Sequence, residues 1–520
     1  MTPCCDALRR LTPSPAAKPP RRRAWPVGTA ALLSGLVGCA SVPTSPAVAT
    51  LDLPSRWAAG PTTTEPGAYA LEAAWWDRFN DPVLTGLVDQ ALRANTTIVS
   101  ARAALRQARA LRDVTAASLL PAVGGSGSAR RGTAGGHSTG NLFQTGLDAS
   151  WELDLFGANR SALASGDATA QASAASLAQV QVSIAAEVAL GYIALRGAQV
   201  QLAIARANLA SQQETLQITE WRLQAGLVTA LDVEQARTAA LQTSAQLPAL
   251  ATRIGQTRHA LAVLTGQPPA ALAATLADPP TALTAPEPLT GLATGPTHRQ
   301  PAPPHAAAGL ALAIPADTLR QRADVRAAEW QVAAAAAQVD QANAARAPNF
   351  KLGGNLGLSA VTLGALGSGA AVVGTLLASV SLPVFDGGAG LAQVRAGQAA
   401  LDQAQSAYRA TVLTALREVE DALLALANDQ TRLLGLQRAA EAAGNAALLA
   451  RQRYSSGLVD FQAVLDTQRA QLSTQDSVAS ASADLGSDQV RLYKALGGGW
   501  QAEPRTASAL PTSRTPTPTP

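Results

Sequence analysis

From Leu147 to Leu155 every second residue is apolar. Leu147, Ala149, Trp151, Leu153 and Leu155 fall on one face, and Asp148, Ser150, Glu152 and Asp154 on the other. A period of two predicts a strand over 146–156 with one greasy and one wet side. The pattern returns twice in the second half. Phe350, Leu352, Leu356 and Leu358 oppose Lys351, Asn355 and Ser359; then Leu376, Ala378, Val380, Leu382 and Val384 oppose Thr375, Ser379 and Ser381. A fourth strand, within the Gly/Ser-rich stretch 122–140, is weakly patterned and is inferred only from its counterpart in the second half.

Between these strands the period lengthens to that of a helix. Ile98, Ala101, Leu105 and Ala108 predict one helix over 83–118, ended by Leu120-Pro121. After Phe156-Gly157 the chain runs to about Gln224 without a proline, with Leu177, Val180, Ile184, Val188 and Leu195 on one stripe. At 1.5 Å per residue, roughly 60 residues make a rod of about 90 Å. Gly226-Leu227-Val228 then turns the chain into a second rod reaching Leu264, with a kink expected at Pro248.

The same order is then restated. A helix is predicted over 319–346, ended by Pro348. A rod follows from about 389 to 454, with Tyr408, Val412, Ala415, Val419, Ala422 and Leu426 on its stripe. Gly457-Leu458-Val459 turns it into a helix over 461–496. Both turns carry an arginine four residues before the glycine, Arg222 and Arg453. Helix, strand, strand, long helix, turn, helix, stated twice, is an internal repeat. The divisions are 73–266 and 317–497 for the repeats and 267–316 for a Pro/Ala-rich linker, expected to lie extended along the surface. The tail 498–520 reads as disordered. Four half-greasy strands are too few to close a barrel. Three chains would supply twelve, although the pattern alone does not fix the number three.

Composition changes the picture at the N-terminus. The formal net charge is +4, yet residues 1–38 hold six basic residues and one acid, so the remainder is about −1. The basic character belongs to a leader, and no basic stripe with aromatics follows, which excludes nucleic acid as a partner. In that leader, Arg21, Arg22 and Arg23 precede a short apolar run, Thr29 to Val37, too short to span a membrane. Leu36-Val37-Gly38-Cys39 follows and resembles the bacterial lipobox. Cleavage there would leave a signal peptide (1–38) and a Ser/Pro/Thr-rich tether (39–72) whose Cys39 carries acyl chains such as palmitate. An ordinary signal peptide with an incidental cysteine is the alternative; the spacing and the tether favour lipidation. Ala40, rather than an aspartate, implies sorting to the outer membrane. No later stretch reads as a transmembrane helix, so a membrane crossing requires a closed β-barrel.

Candidate chemistry is sparse. All three cysteines, Cys4, Cys5 and Cys39, lie in the leader region, leaving the body without a disulfide or thiolate metal site. His137, His259, His298 and His305 show no ligand spacing, and no phosphate loop or nucleophile elbow occurs. No cofactor beyond the lipid on Cys39 and no enzyme activity are expected.

Several motifs in order carry a resemblance. They are Trp75-Trp76-Asp77-Arg78-Phe79-Asn80-Asp81-Pro82-Val83-Leu84, with Ala91-Leu92 and Asn95, and Trp151-Glu152-Leu153-Asp154-Leu155-Phe156-Gly157. Arg322-Ala323-Asp324-Val325-Arg326-Ala327-Ala328-Glu329, Leu382-Pro383-Val384-Phe385-Asp386-Gly387-Gly388 and the two Gly-Leu-Val turns complete the set. Together they resemble the TolC-like outer membrane factors, in the lipoprotein branch of the outer membrane efflux proteins. The likeness covers about residues 50–500. It implies a mixed α and β membrane protein: a homotrimer with a 12-stranded β-barrel, four strands per chain, continuous with a long periplasmic α-helical barrel. Greasy strand faces would meet outer-membrane lipid and polar faces the lumen.

The resemblance also assigns roles. Asp466-Thr467-Gln468-Arg469 is similar to a periplasmic gate, in which Asp466 carboxylates from three chains converge on the axis and repel one another, with Arg469 as a counter-ion. The first repeat offers Gln235 and Thr238 instead. A solvated helix face with an ordinary i,i+3 pair is the bland alternative. Gly226, Leu227, Val228 and Thr229, with Gly457, Leu458, Val459 and Asp460, would be tips that meet a periplasmic adaptor; a simple helix cap accounts for the glycines but not for an exposed leucine. The implied function is the passive outer-membrane duct of a tripartite efflux system, in multidrug resistance or metal export, served by an adaptor and a proton-driven inner-membrane transporter. A duct for type I protein secretion and a structural periplasmic coiled-coil lipoprotein are the competing readings; the strands count against the latter.

Overall fold

The computed structural model of the chain describes residues 54–59, 74–134, 138–277, 315–367 and 372–498, all within the compact unit Pro46–Pro520. The leader, Cys39, most of the tether, residues 278–314 of the linker and most of the tail lie outside the described residues.

Among the described residues eight α-helices and four strands follow one another in the order α1 (Pro82–Ala94), α2 (Thr96–Ala117), β1 (Ala122–Ala134), β2 (Ser138–Leu153), α3 (Ala158–Gln224), α4 (Ala230–Leu264), α5 (Pro315–Gln321), α6 (Ala323–Ala344), β3 (Asn349–Ala360), β4 (Val372–Ser381), α7 (Ala389–Ser455) and α8 (Phe461–Ala495). In three pairs of helices the duplication is kept to the residue. α2 and α6 are each 22 residues long, α3 and α7 each 67, α4 and α8 each 35.

Two predicted helices are each split in two. The expected helix 83–118 breaks at Asn95, whose side chain accepts from the backbone N–H of Thr97 (2.9 Å) and Ile98 (3.3 Å) and so starts α2. Its amide also donates to the Leu264 carbonyl at 2.8 Å, which ties the break to the end of α4. The expected helix 319–346 breaks at Arg322, which stands in extended conformation before α6. The linker is corrected as well. Residues 267–277 do not lie extended on the surface but form turns that bury Leu272 and Leu276 in the main core. Pro248 sits inside a continuous α4. β2 ends at Leu153 and β4 at Ser381, so Leu155, Leu382 and Val384 fall outside the strands.

Those post-strand residues start the long helices. Asp154 accepts from the backbone N–H of Asn159 and Arg160 at 3.2 and 2.9 Å, and Asp386 from Gly388 and Gly390 at 2.8 and 2.7 Å. In each repeat an acid after the strand satisfies donors at the first turn of the 67-residue rod.

The strands form one antiparallel sheet in the order β1-β2-β3-β4. Trp151 faces Leu352 and Leu147 faces Leu356, so the greasy positions of neighbouring strands share a face. Every residue of β4 is exposed in the single chain. One stretch of α3 is apolar and long enough to pass for a membrane span by composition, which the sequence reading did not anticipate. Half of that stretch is buried inside the protein, where Ile184, Val188, Tyr192 and Leu195 pack with α1, α4 and α8. The predicted stripe of α7 is likewise internal, with Val412, Ala415, Val419, Ala422 and Leu426 all buried.

Candidate duct tips and gate

Each Gly-Leu-Val turn closes a 67-residue helix in the same way. Gly226 and Gly457 take left-handed φ of 74° and 71°. The N–H of Leu227 donates to the Arg222 carbonyl (2.8 Å) and that of Gly226 to Leu223 (2.9 Å). Leu458 to Arg453 (2.9 Å) and Gly457 to Tyr454 (3.0 Å) repeat the pair. These double bonds are a Schellman stop, and the recurrent arginine supplies its outermost carbonyl. Leu227 and Leu458 are left 72% and 74% exposed, among the barest large apolar side chains of the described residues. Val228 and Val459 turn inward against a cluster containing Ala236, Ala239, Tyr454, Phe461 and Val464. Thr229 caps α4 in a reciprocal box with Asp232, and Asp460 caps α8 by accepting from the Ala463 N–H at 3.0 Å. Within each four-residue tip motif, one residue turns the chain, one is bare, one anchors the loop and one starts the next helix.

The arginine side chains diverge. Arg222 reaches across to the other hairpin, donating to the carbonyls of Tyr454 (3.1 Å) and Ser455 (3.0 Å) and stacking over the Tyr454 ring at 4.4 Å. A cation is thereby set on the last carbonyls of α7. Arg453 is exposed. The repeat of the arginine was visible in the sequence; the clamp was not, because it depends on the two tips lying side by side.

The candidate gate residues, Asp466 and Arg469, sit two to three turns above the second tip. Val464, Leu465 and Gln468 face inward, and the Gln468 amide donates to the Thr215 hydroxyl of α3 at 3.0 Å. That anchor turns Asp466 and Arg469 to the opposite, solvent face. They pair with each other at 3.4 Å, and Gln462 donates to Asp466 at 2.9 Å.

Three polar groups hold the upper part together; Arg322 opens one of the resemblance motifs, whereas Tyr192 and Asp488 were not singled out in the sequence. Tyr192 donates to Asp81, the cap of α1, at 2.5 Å; burial and then that bond push its hydroxyl up to about 12. Arg322 binds Asp324 (2.6 Å), Glu418 of α7 (2.8 Å) and the Ala495 carbonyl ending α8 (2.6 Å). Burial works against its charge, but the two carboxylates outweigh it and raise its pKa. Asp488 of α8 is buried and bonded to Arg491 at 2.6 Å. Burial first, and a hydrogen bond shared with Asp429 second, push its carboxyl up to about 6. Among the described residues no cluster of His, Cys, Asp and Glu is arranged to hold a metal.

The comparisons with known proteins follow this architecture closely. The family model described as outer membrane efflux protein matches residues 87–267 and 314–498. The pyoverdine export outer membrane protein OpmQ of Pseudomonas putida is 31% identical over 488 residues, covering 91% of this chain and 97% of the relative. The toluene efflux pump outer membrane protein TtgF of Pseudomonas putida is 30% identical over 449 residues, 84% and 88% of the two chains. Among solved structures, the outer-membrane channel OprN aligns with a TM-score of 0.75 at 36% identity, over 87% of this chain and 99% of that one. VceC of Vibrio cholerae aligns with a TM-score of 0.73 at 25% identity, over 83% and 100%. A four-stranded edge-open sheet on long paired helices, shared with these solved channels, defines the class as a TolC-like outer-membrane channel. The chain belongs to the outer membrane efflux protein family, and it is an outer-membrane channel component of an efflux system, extending into the periplasm.

Proposed function

We propose that this chain forms the passive exit duct of a tripartite pump, as a homotrimer anchored through a lipid on Cys39. A periplasmic adaptor meets it at the two tips of each chain, and a proton-driven inner-membrane transporter supplies the energy. The observation that carries this reading is the pair of bare leucines on matched turns: Leu227 and Leu458 each lie more than 70% exposed at the end of a hairpin whose other tip residues are spent on folding. Exposed apolar knobs on rigid turns suit a protein partner. Asp466 and Arg469, facing solvent beside the second tip, form the gate. The relatives are named for a siderophore and for an aromatic solvent, cargoes with little chemistry in common. That breadth favours a permissive duct with selection upstream.

The test is substitution of both leucines by aspartate. Efflux, scored as resistance of a host strain lacking its own channel, is expected to fall to the level of the empty vector while the heat-stable trimer persists on gels. Loss of the trimer would reassign the leucines to folding, and unimpaired efflux would remove the docking role.

A further inference from the structure

Residues that face each other across an antiparallel pair share one side of the sheet. The strand register therefore sorts every position into two faces. Trp151 with Leu352 and Leu147 with Leu356 mark the greasy face, while Asp148, Glu152 and Lys351 lie on the wet one. Carried along β2 to its other end, the greasy face reaches Asn141, which faces Arg131 of β1. Arg131 is the one charged residue on this face of the sheet among the described residues. No carboxylate shares the face to pair with it. Its neighbour Arg130 faces Leu142 and so belongs to the wet face. Arg131 and Asn141 are both exposed.

The depth of this pair follows from the chain's direction. All four long-helix connections leave the sheet at one end, so the β1–β2 turn lies at the end away from the periplasm. Trp151 stands near the helical end, its indole donating to the Leu119 carbonyl at 3.0 Å, and an indole of this kind belongs at a membrane interface. From Trp151 up to Asn141 is ten residues of β2. At about 3.4 Å per residue and a tilt of about 40°, that is a height of about 25 Å, the apolar band of an outer-membrane barrel. Arg131 thus stands at the level of the outer headgroups, where a charge on the lipid side is tolerated.

The second hairpin shows that this polar pair is not simply the end of the band. Ala122 facing Ser150 in the first hairpin returns as Asn349 facing Ser381 in the second, 227 and 231 residues on. By the same offsets Arg131 and Asn141 correspond to Leu358 and Val372, which also face each other. At one level of the sheet, then, one hairpin is apolar and the other carries a guanidinium beside an amide.

We propose that Arg131 and Asn141 bind a phosphate of a phosphorylated glycolipid in the outer leaflet, one site on each chain. A guanidinium presents two parallel N–H groups to phosphate oxygens, and the Asn141 amide adds a donor beside it. The occupant is a lipid headgroup rather than a dissolved anion because the next residues down on the same face are Ala129 and Phe143, which face each other and lead into the apolar band where acyl chains lie. The site depends on the sheet's place in the outer membrane and on neither the tips nor the gate.

The test titrates the full-length channel, purified in detergent and running as heat-stable oligomers, with bisphosphorylated lipid A, and counts bound lipid by native mass spectrometry. One tightly held lipid per chain is expected. Arg131→Gln should weaken its binding about tenfold, while Arg130→Gln, one residue away on the opposite face, should leave it unchanged. Lipid A stripped of both phosphates should bind the unmodified chain no better than intact lipid A binds the Arg131→Gln variant. Equal affinity of the Arg131→Gln variant and the unmodified chain, or the same loss in the Arg130→Gln variant, would overturn the site. Phosphatidylglycerol binding as tightly as lipid A would overturn the outer-leaflet glycolipid as its occupant. Should the glutamine variant fail to assemble, Arg131→Lys decides: it keeps the charge without the planar fork, so weaker binding supports the contact and undiminished binding overturns it.

Discussion

Gly226 and Gly457 hold backbone angles that a Cβ resists, while the leucine after each supplies an N–H to the helix end and points its side chain at solvent. Tip chemistry of this kind was legible because it is local: the stop, the bare residue and the cap residue all lie within eight positions, Arg222 to Thr229 and Arg453 to Asp460. Asp466 and Arg469 are also local, an i,i+3 pair on one turn, and their role is testable on its own. Replacing both by alanine is expected to raise single-channel conductance in planar bilayers severalfold; unchanged conductance would remove them from the gate. Asp488 is a residue whose meaning is not local, since its surroundings come from Asp429 on another helix. Its carboxyl holds a proton more tightly in the folded protein than in the unfolded chain. The stability that Asp488 contributes is therefore full below about pH 4 and is lost as pH rises through about 6. Asp488→Asn should flatten that part of the curve and raise the trimer dissociation temperature at neutral pH, an effect on the order of 1 kcal/mol per protomer. An unchanged slope in thermal melts between these pH values would show that the decline originates elsewhere.

At the scale of the element, periodicity located every long helix and missed the breaks between short ones. Asn95 and Arg322 interrupt helices whose apolar stripes continue on either side, so a stripe alone reads straight through them. What stops the helix is a side chain turned back on the backbone at Asn95, and at Arg322 a guanidinium drawn to Glu418 and the end of α8, 96 and 173 positions away. β1 was weak in the sequence because glycine and serine carry no amphipathic signal; its thirteen residues are placed by their register with β2, to which Ser126 also donates through its hydroxyl at Asp148 (2.6 Å). The first eleven residues of the linker misled for the opposite reason. Proline and alanine suggest an extended run, but Leu272 and Leu276 find a pocket beside α3 that no local pattern announces.

At the scale of the whole molecule, the duplicated plan was the most legible feature and the arrangement of the copies the least. Nothing in the sequence says that Arg222 of one hairpin grips the other, or that α3 lies on α8. Equal hairpins also bear on what lengths the chain can tolerate. A rod of 67 residues returning as one of 35 sets the depth of each tip, and both hairpins use the same two numbers. Deleting seven residues from α3 and seven from α4 would raise the first tip by about 10 Å while keeping its faces aligned. Efflux is then expected to fail although the chain still inserts, because the floor of the duct is no longer level. Deleting the equivalent residues from α7 and α8 as well should restore heat-stable trimers that the half-shortened chain lacks; if the half-shortened chain assembles equally well, level tips are not a condition of assembly. Insertions and deletions in these helices are thus a paired currency: a change of length in one half obliges the same change, at the same height, in the other.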